Sequence, residues 1–320
     1  MKGFLFKKKE KSKSKKTPLL EKLTRIKIGY FLYPLIVTIV LLTVFIAFML
    51  FKIQKEATLN LTSFNIKENV YPYFEGDLSF SARAMIVYET SSRVVVFGKN
   101  ENLRFAPAST AKIMTAIIVL EHYSLIQILR AVGVNRFEGS KMNLVENEEM
   151  TVENLLYGLL LPSGNDAAHV LAENFPGGEV GFVKEMNSKA KELRLENTKF
   201  FDPAGFSDDN YTTALDLARL SAYAMTKEEF KKIVSTRQIS VSDMSGEISH
   251  ELVNLNELLA LPGVNGIKTG FTNEAGGVLV TSFTSGKEKF ITVVLKSSDR
   301  FFDTKEIISE IIKRVKLIFY

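Results

Sequence analysis

Pro107-Ala108-Ser109-Thr110-Ala111-Lys112-Ile113-Met114-Thr115-Ala116 is the stretch from which the rest of the chain can be read. A helix is predicted from Ser109 to Tyr123. Ile113, Met114, Ile117 and Ile118 leave it almost no polar face, so it is expected to be buried nearly all round. A serine in a first helical turn lies near unpaired backbone N–H groups and the positive end of the helix dipole. Lys112, three residues on, shares its helix face, which brings an amine within reach of the hydroxyl. In isolation Ser109 would be a helix cap and Lys112 a surface residue. In apolar surroundings a lysine needs a partner, because an unpaired buried charge is costly.

Upstream of this stretch, Ala82 to Tyr88 and Arg93 to Phe97 are β-rich runs joined by Glu89-Thr90-Ser91-Ser92, a predicted hairpin. Downstream the chain turns helical. Thr151, with Asn154 three residues on, starts a helix that buries Leu155, Leu156, Leu159 and Leu160. Helices are also expected over Asp166 to Asn174 and Glu179 to Leu193. Thr213 and Asp216 resemble a capping pair before Leu217, Leu220 and Tyr223. After Ile239 strands return, at Val264 to Lys268, Gly277 to Phe283 and Phe290 to Leu295, with Ser285-Gly286-Lys287 as the last hairpin turn. A helix over Asp303 to Tyr320 carries an apolar stripe of Ile307, Ile308, Ile311, Ile312 and Val315, expected to pack on the sheet. Strands, a helical block, strands and a helix make the α+β class: an antiparallel sheet flanked by helices, with an all-helical subdomain, over residues 79–320.

Two further signals stand beside Ser109 and Lys112. The pattern S-x-x-K occurs three times, also at Ser12/Lys15 and Ser188/Lys191, and S-x-N twice, at Ser63/Asn65 and Ser163/Asn165; K-T-G occurs once, at Lys268-Thr269-Gly270. Ser12 lies in a basic tail and Ser188 within a helix, so context favours Ser109. Serine is a poor nucleophile until a base takes its proton, and a lysine is that base only if its pKa falls towards neutrality. Burial and a second cation, for which Lys268 is the candidate, both push it down. Ser163 would relay a proton between Lys112 and a leaving amine, or else help to cap the next helix with Asp166. Asn165 would orient Lys112 and a substrate amide. On a strand, Lys268 and Gly270 share a face, and Gly270 lets another backbone come close. An extended peptide could pair there, its carboxylate held by Thr269 and Lys268.

The charge is unevenly placed. Residues 1–27 hold eleven Lys or Arg and two acids, a local net of +9, whereas the remainder holds 30 basic and 34 acidic residues, a net of −4. No basic face for nucleic acid is expected on the folded body. Ile28 to Phe51 is a run of 24 residues without a charge. As a helix it would be about 36 Å long, against a hydrocarbon core of roughly 30 Å. Phe48-Met49-Leu50-Phe51 offers no small-residue cleavage pattern, so an uncleaved anchor in the lipid bilayer is preferred to a signal peptide. The basic tail would stay in the cytoplasm and everything after Lys52 would lie outside. Residues 52–78 read as a spacer able to reach about 90 Å when extended. The absence of cysteine excludes disulfides and a thiolate nucleophile. No cofactor or metal is expected: His122, His169 and His250, the only histidines, match no metal-ligand spacing.

In order and spacing, the three signals resemble those of the serine DD-peptidases and β-lactamases, and more closely those of the low-molecular-mass D-alanyl-D-alanine carboxypeptidases. The resemblance rests on Pro107 to Ala116, on Leu160-Leu161-Pro162-Ser163-Gly164-Asn165-Asp166-Ala167-Ala168, and on Gly266-Ile267-Lys268-Thr269-Gly270-Phe271-Thr272 with Glu274-Ala275-Gly276, and it runs from about Phe80 to Arg300. It implies that Ser109 attacks the penultimate D-alanine carbonyl of a peptidoglycan stem peptide, with Lys112 as general base and Ser163 passing the proton to the departing D-alanine. The backbone N–H groups of Ser109 and Phe271 would form the oxyanion hole. β-Lactam antibiotics would acylate Ser109. Phe271 stands where the family often has histidine, and the chain ends too soon after Arg300 for the second β-rich domain and C-terminal anchor of many relatives. A β-lactamase would need a glutamate after Ser163 to activate water, and Glu192 and Glu196 read as exposed helix-end charges. A silent penicillin-binding wall or sensor protein would not need Ser109, Lys112, Ser163 and Lys268 together.

Overall fold

A computed structural model describes residues 37–50 and 79–318, with side chains as far as Lys313. The expected basic tail, the ends of the uncharged run and the spacer lie outside the described residues. The chain divides into two units, Met1–Val70 and Tyr71–Tyr320. In the first, residues 37–50 form helix α1 with exposed apolar side chains such as Leu41, Val44 and Phe48. Among the described residues no helix is long and apolar enough to cross a membrane.

The second unit is built on a five-stranded antiparallel sheet of order β2-β1-β9-β8-β7. The strands are β1 (Ala84–Glu89), β2 (Val95–Lys99), β7 (Val264–Thr272), β8 (Gly276–Ser285) and β9 (Glu288–Ser297). The predicted first hairpin is present. Its turn is closed by the buried Glu89 carboxylate, which accepts the backbone N–H groups of Ser91 at 2.8 Å and Ser92 at 2.5 Å. Alternation along the strands supplies two cores. Ala84, Ile86, Val278, Val280, Ile291, Val293 and Leu295 face one. Met85, Val87, Leu279, Phe283, Phe290 and Val294 face the other. With both faces covered, the central strands read as unbroken apolar runs rather than as an in–out alternation.

Helix α8 (Arg300–Ile318) covers the second face, as the isoleucine stripe implies: Ile307, Ile308 and Ile311 are buried against it. Each contributes about 1.5–3 kcal/mol relative to exposure. The helix begins three residues before the expected Asp303. The Asp299 carboxylate accepts from Phe302 N, while Asp303 turns inward to hold Ser81 Oγ, Ala82 N and Ser297 Oγ.

On the first face α6 (Ala214–Ala224) lies on the sheet and α7 (Glu228–Ser235) against β7, while α2 (Lys112–His122), α3 (Val152–Leu160), α4 (Asn165–Glu173) and α5 (Gly178–Glu192) pack on one another as a helical subdomain joined to them through α2 and α3. Two small antiparallel pairs accompany them, β3 (Ile128–Arg130) with β4 (Glu149–Thr151), and β5 (Gln238–Ser242) with β6 (Ser249–Val253). Thr151 caps α3 by accepting Asn154 N, and Leu155, Leu156, Leu159 and Leu160 are buried as predicted. Thr213 likewise accepts Asp216 N, but Asp216 does not reach back to complete a capping box; its carboxylate binds Asn197 N and Thr198 Oγ1. The three-residue strands β3 and β4 are too short to show a period, whereas α7 does carry one, with Phe230, Ile233 and Val234 on a single buried face.

Candidate active site

Helix α2 is buried nearly all round, with Lys112 through Val119 inaccessible to solvent. It starts later than predicted. Ala108 adopts a left-handed φ of 46°, and Ala108–Ala111 wind as a 3₁₀ turn before the α-helix begins at Lys112. Ser109 therefore sits on this tighter turn, which Thr110 ties down through Oγ1 to the Pro107 carbonyl at 2.6 Å.

The Lys112 amine distributes its three protons in three directions: to Ser109 Oγ at 3.0 Å, to Asn165 Oδ1 at 2.8 Å and to the Ala204 carbonyl at 2.7 Å. Burial lowers the Lys112 pKa to about 7, against the opposing charges of Asp202 and Asp166. Lys268 is also fully buried, and its pKa is held well below the usual value by burial, then by the Lys112 charge and by Arg300. Burial is the largest cause for both amines, and the two lie close enough for the charge of one to disfavour that of the other.

Asn165 opens α4. Its oxygen serves Lys112, and its amide nitrogen donates to the Glu138 carbonyl at 2.8 Å. The orienting contact with Lys112 is present, and the amide nitrogen anchors the 138 loop. Ser163 precedes α4 with a left-handed φ of 67°, and its buried Oγ has no hydrogen-bond partner. It does not bond to Lys112, whose third proton goes to Ala204. Neither does it cap α4, where Gly164 is the N-cap without a side-chain bond. Asp166 does not cap with it either, because its carboxylate accepts Met142 N, Asn143 N and Leu144 N and fixes that loop.

Lys268, Thr269 and Gly270 lie on β7, the outer strand of the sheet, which runs past the 3₁₀ turn. A Cβ on Gly270 would stand 3.1 Å from Ser109 N and 3.2 Å from the Pro107 carbonyl. The close backbone approach expected of this glycine is therefore to the serine turn itself. Lys268 and Thr269 are buried, with Lys268 Nζ donating to the Thr269 carbonyl at 3.0 Å. The Phe271 side chain is 63% exposed.

Three residues missed in the sequence complete the geometry: Glu138, Ala204 and Asp202. The Asp202 carboxylate gathers the N–H groups of Ala204, Gly205, Phe206 and Ser207 and the Asn210 amide. Burial would raise its pKa, but these donors outweigh burial and lower it. The turn so formed presents the Ala204 carbonyl to Lys112 and the Pro203 carbonyl to Thr115 Oγ1. A Cβ on Gly205 would meet the Ala108 carbonyl at 1.9 Å, so the turn lies flush against the serine segment. The cluster Asp202-Pro203-Ala204-Gly205 announces a turn, but no local pattern shows that its carbonyls face a buried amine.

A lysine in place of histidine as the serine's partner, set between an antiparallel sheet and a helical layer, defines the class of serine peptidases and β-lactamases with the S-x-x-K pattern. The chain belongs to the D-alanyl-D-alanine carboxypeptidase family, peptidase family S11, whose model matches residues 73–299. It is 36% identical over 230 residues to the D-alanyl-D-alanine carboxypeptidase DacF of Bacillus subtilis, a match covering 69% of this chain and 59% of that protein. It is 30% identical to a D-alanyl-D-alanine endopeptidase of Escherichia coli, over 69% of this chain and 73% of the relative. The crystal structure of the Streptomyces K15 DD-transpeptidase superposes with a TM-score of 0.70 at 29% identity, covering 75% of this chain and all of that one.

Proposed function

We propose that the protein is a serine D-Ala-D-Ala carboxypeptidase that removes the terminal D-alanine from peptidoglycan stem pentapeptides. The observation that carries this reading is the 3.0 Å bond between the Ser109 hydroxyl and a fully buried Lys112 whose pKa lies at about 7. Once neutral, the amine keeps two N–H groups for Asn165 Oδ1 and the Ala204 carbonyl and turns its lone pair to Ser109, so it can take the Ser109 proton as Oγ attacks the penultimate D-alanine carbonyl. The N–H groups of Ser109 and Phe271 stabilise the developing oxyanion; the register that sets Gly270 against Ser109 N supports this pairing. The peptide C–N bond then breaks, and the departing amine receives the proton from Lys112 through Ser163, releasing free D-alanine. Water attacks the Ser109 ester as Lys112 accepts its proton; the C–Oγ bond breaks, Lys112 returns that proton to Ser109 Oγ, and the shortened peptide leaves as its carboxylate with its acid proton passing to solvent. The substrate lies extended along β7, its terminal carboxylate near Lys268 and Thr269. A β-lactam follows the same first steps, its ring amide opening to an ester on Ser109.

Residues 28–51 anchor the chain in the membrane, 1–27 remain cytoplasmic, and 52–78 link the anchor to an extracytoplasmic catalytic domain, 79–320. The support is the uncharged run, the +9 tail before it and the helical state of residues 37–50. The test is mass spectrometry of the protein after penicillin, with free D-alanine assayed from a pentapeptide. One drug adduct on Ser109 and D-alanine release are expected, and both should vanish in Ser109→Ala. Stable labelling without D-alanine release would leave a penicillin-binding protein without this activity; rapid drug turnover would favour a β-lactamase.

A further inference from the structure

We propose that His169, Glu173 and Glu179 form a binding site for one divalent transition metal ion of the zinc type, separate from the serine site and structural in role. The three side chains offer one ligand atom each, all within 4.8 Å of one another. His169 and Glu173 are four residues apart on α4 and share a face. Glu179 comes from the first turn of α5, across the short connection at 174–177.

The observation that points to a ligand is the state of the His169 ring. Only 3% of the residue is exposed, yet its Nδ1 has no hydrogen-bond partner. Its Nε2 lies 3.1 Å from the Val132 carbonyl. A carbonyl can only accept, so the neutral ring carries its proton on Nε2 and presents a lone pair at Nδ1. That is the tautomer a metal requires, with the second nitrogen oriented by a backbone carbonyl. The Phe137 ring, 4.6 Å away between centroids, packs against the imidazole, whereas Arg136 Nη2, 3.5 Å from Nε2, is itself a donor and makes no bond to a protonated nitrogen. Nδ1 lies 3.7 Å from Glu179 Oε2, too far for a hydrogen bond and close to the spacing of two ligands on one ion. Tetrahedral zinc with bonds of about 2.0–2.2 Å separates its ligand atoms by roughly 3.4 Å. Glu173 is exposed and Glu179 half-exposed, so both carboxylates can close that gap by side-chain rotation.

One imidazole and two carboxylates suit zinc, whereas magnesium and calcium prefer an all-oxygen set. A fourth position would be left to water. The histidine spacing conceals this site because two of its ligands are glutamates and one lies on another helix. The other two histidines are otherwise engaged: His250 binds Glu148 and the Met142 carbonyl, and His122 the Ile118 carbonyl. The site lies one helical turn beyond Asn165, so a bound ion would clamp α4 to α5 behind the residue that orients Lys112.

The test uses the full chain in detergent, stripped with a chelator and titrated with zinc chloride by calorimetry and thermal melting, with magnesium chloride as control. The expected result is one zinc per chain and a raised melting temperature in zinc, with no rise in magnesium. The double variant Glu173→Gln/Glu179→Gln should bind at least about tenfold more weakly, with the melting temperature of the metal-free protein unchanged. Cobalt substitution should give visible absorption bands of four-coordinate cobalt that the double variant lacks. No zinc-dependent rise in the wild type, or equal affinity in the double variant, overturns the proposal.

Discussion

Lys112 Nζ donates to Ser109 Oγ over 3.0 Å although the lysine itself has no exposed surface. The bond joins a nucleophile on a 3₁₀ turn to a base on the first residue of a buried α-helix. The helix supplies the low dielectric that brings the amine near neutrality, and the turn supplies a hydroxyl the amine can reach.

The rate of acylation by a β-lactam should therefore rise with pH, about tenfold per unit below roughly pH 7, and level off above it as Lys112 loses its proton. The Asp202 charge raises the Lys112 pKa, so Asp202→Asn should move this limb to lower pH while lowering stability through loss of the 202–207 turn. The same titration affects folding. Unfolded, Lys112 keeps its proton up to about pH 10.4; folded, it is neutral from about 7. Between these values the unfolded chain binds more protons, so this contribution makes stability rise with pH, and Lys268 acts in the same direction. Urea unfolding at pH 7 and pH 9 should show a smaller gain for Lys112→Met than for the wild type.

Ser163→Ala should separate function from stability. Its hydroxyl is buried without a partner, so removal costs little or stabilises by up to about 1 kcal/mol. If Ser163 passes the proton to the leaving group, D-alanine release should fall by about 10²-fold or more. Thermal melting and a D-alanine assay on one preparation decide it, and an unchanged rate would remove Ser163 from the proton path.

Gly270→Ala should impair the serine turn without touching any catalytic side chain. The new methyl would press on Ala108 Cβ and Ser109 N at 3.1 Å. Overpacking of this kind costs about 1–3 kcal/mol. Acylation should slow as Ser109 N is displaced, which drug-adduct kinetics would record alongside the melting temperature.

Glu121→Gln should weaken the helical layer. Its carboxylate binds Lys189 and Lys227, both at 2.8 Å, and Tyr223 Oη at 2.7 Å, joining α2, α5 and α6. Burial would raise its pKa, but the bonds from Lys189, Lys227 and Tyr223 win and lower it to about 2. Its contribution is present above about pH 4.5 and is lost as pH falls towards 2. At pH 7 the variant should be less stable by about 1–3 kcal/mol. The difference should shrink on acidification, which unfolding curves at pH 7 and pH 3 would reveal.

The reading from residues succeeded where local chemistry repeats. The apolar run after Lys112 determined a buried helix, the isoleucine stripe of α8 a helix packed on the sheet, and the turn residues at 89–92 and 285–287 two hairpins. The three signals around Ser109, Ser163 and Lys268 were equally legible, because each couples a reactive residue type to a spacing that one turn or one strand enforces. What the sequence could not specify was set by contacts between distant segments. Ala204 and Glu138 act through carbonyl groups that every residue possesses, so no residue type marks them. The unpartnered hydroxyl of Ser163, the approach of His169 to a glutamate on the next helix, and the near-neutral amine of Lys112 all arise only when the helices close over one another and the sheet. Packing removes water there, and the loss of solvation, which has no local signature in the chain, decides which polar groups must find one another.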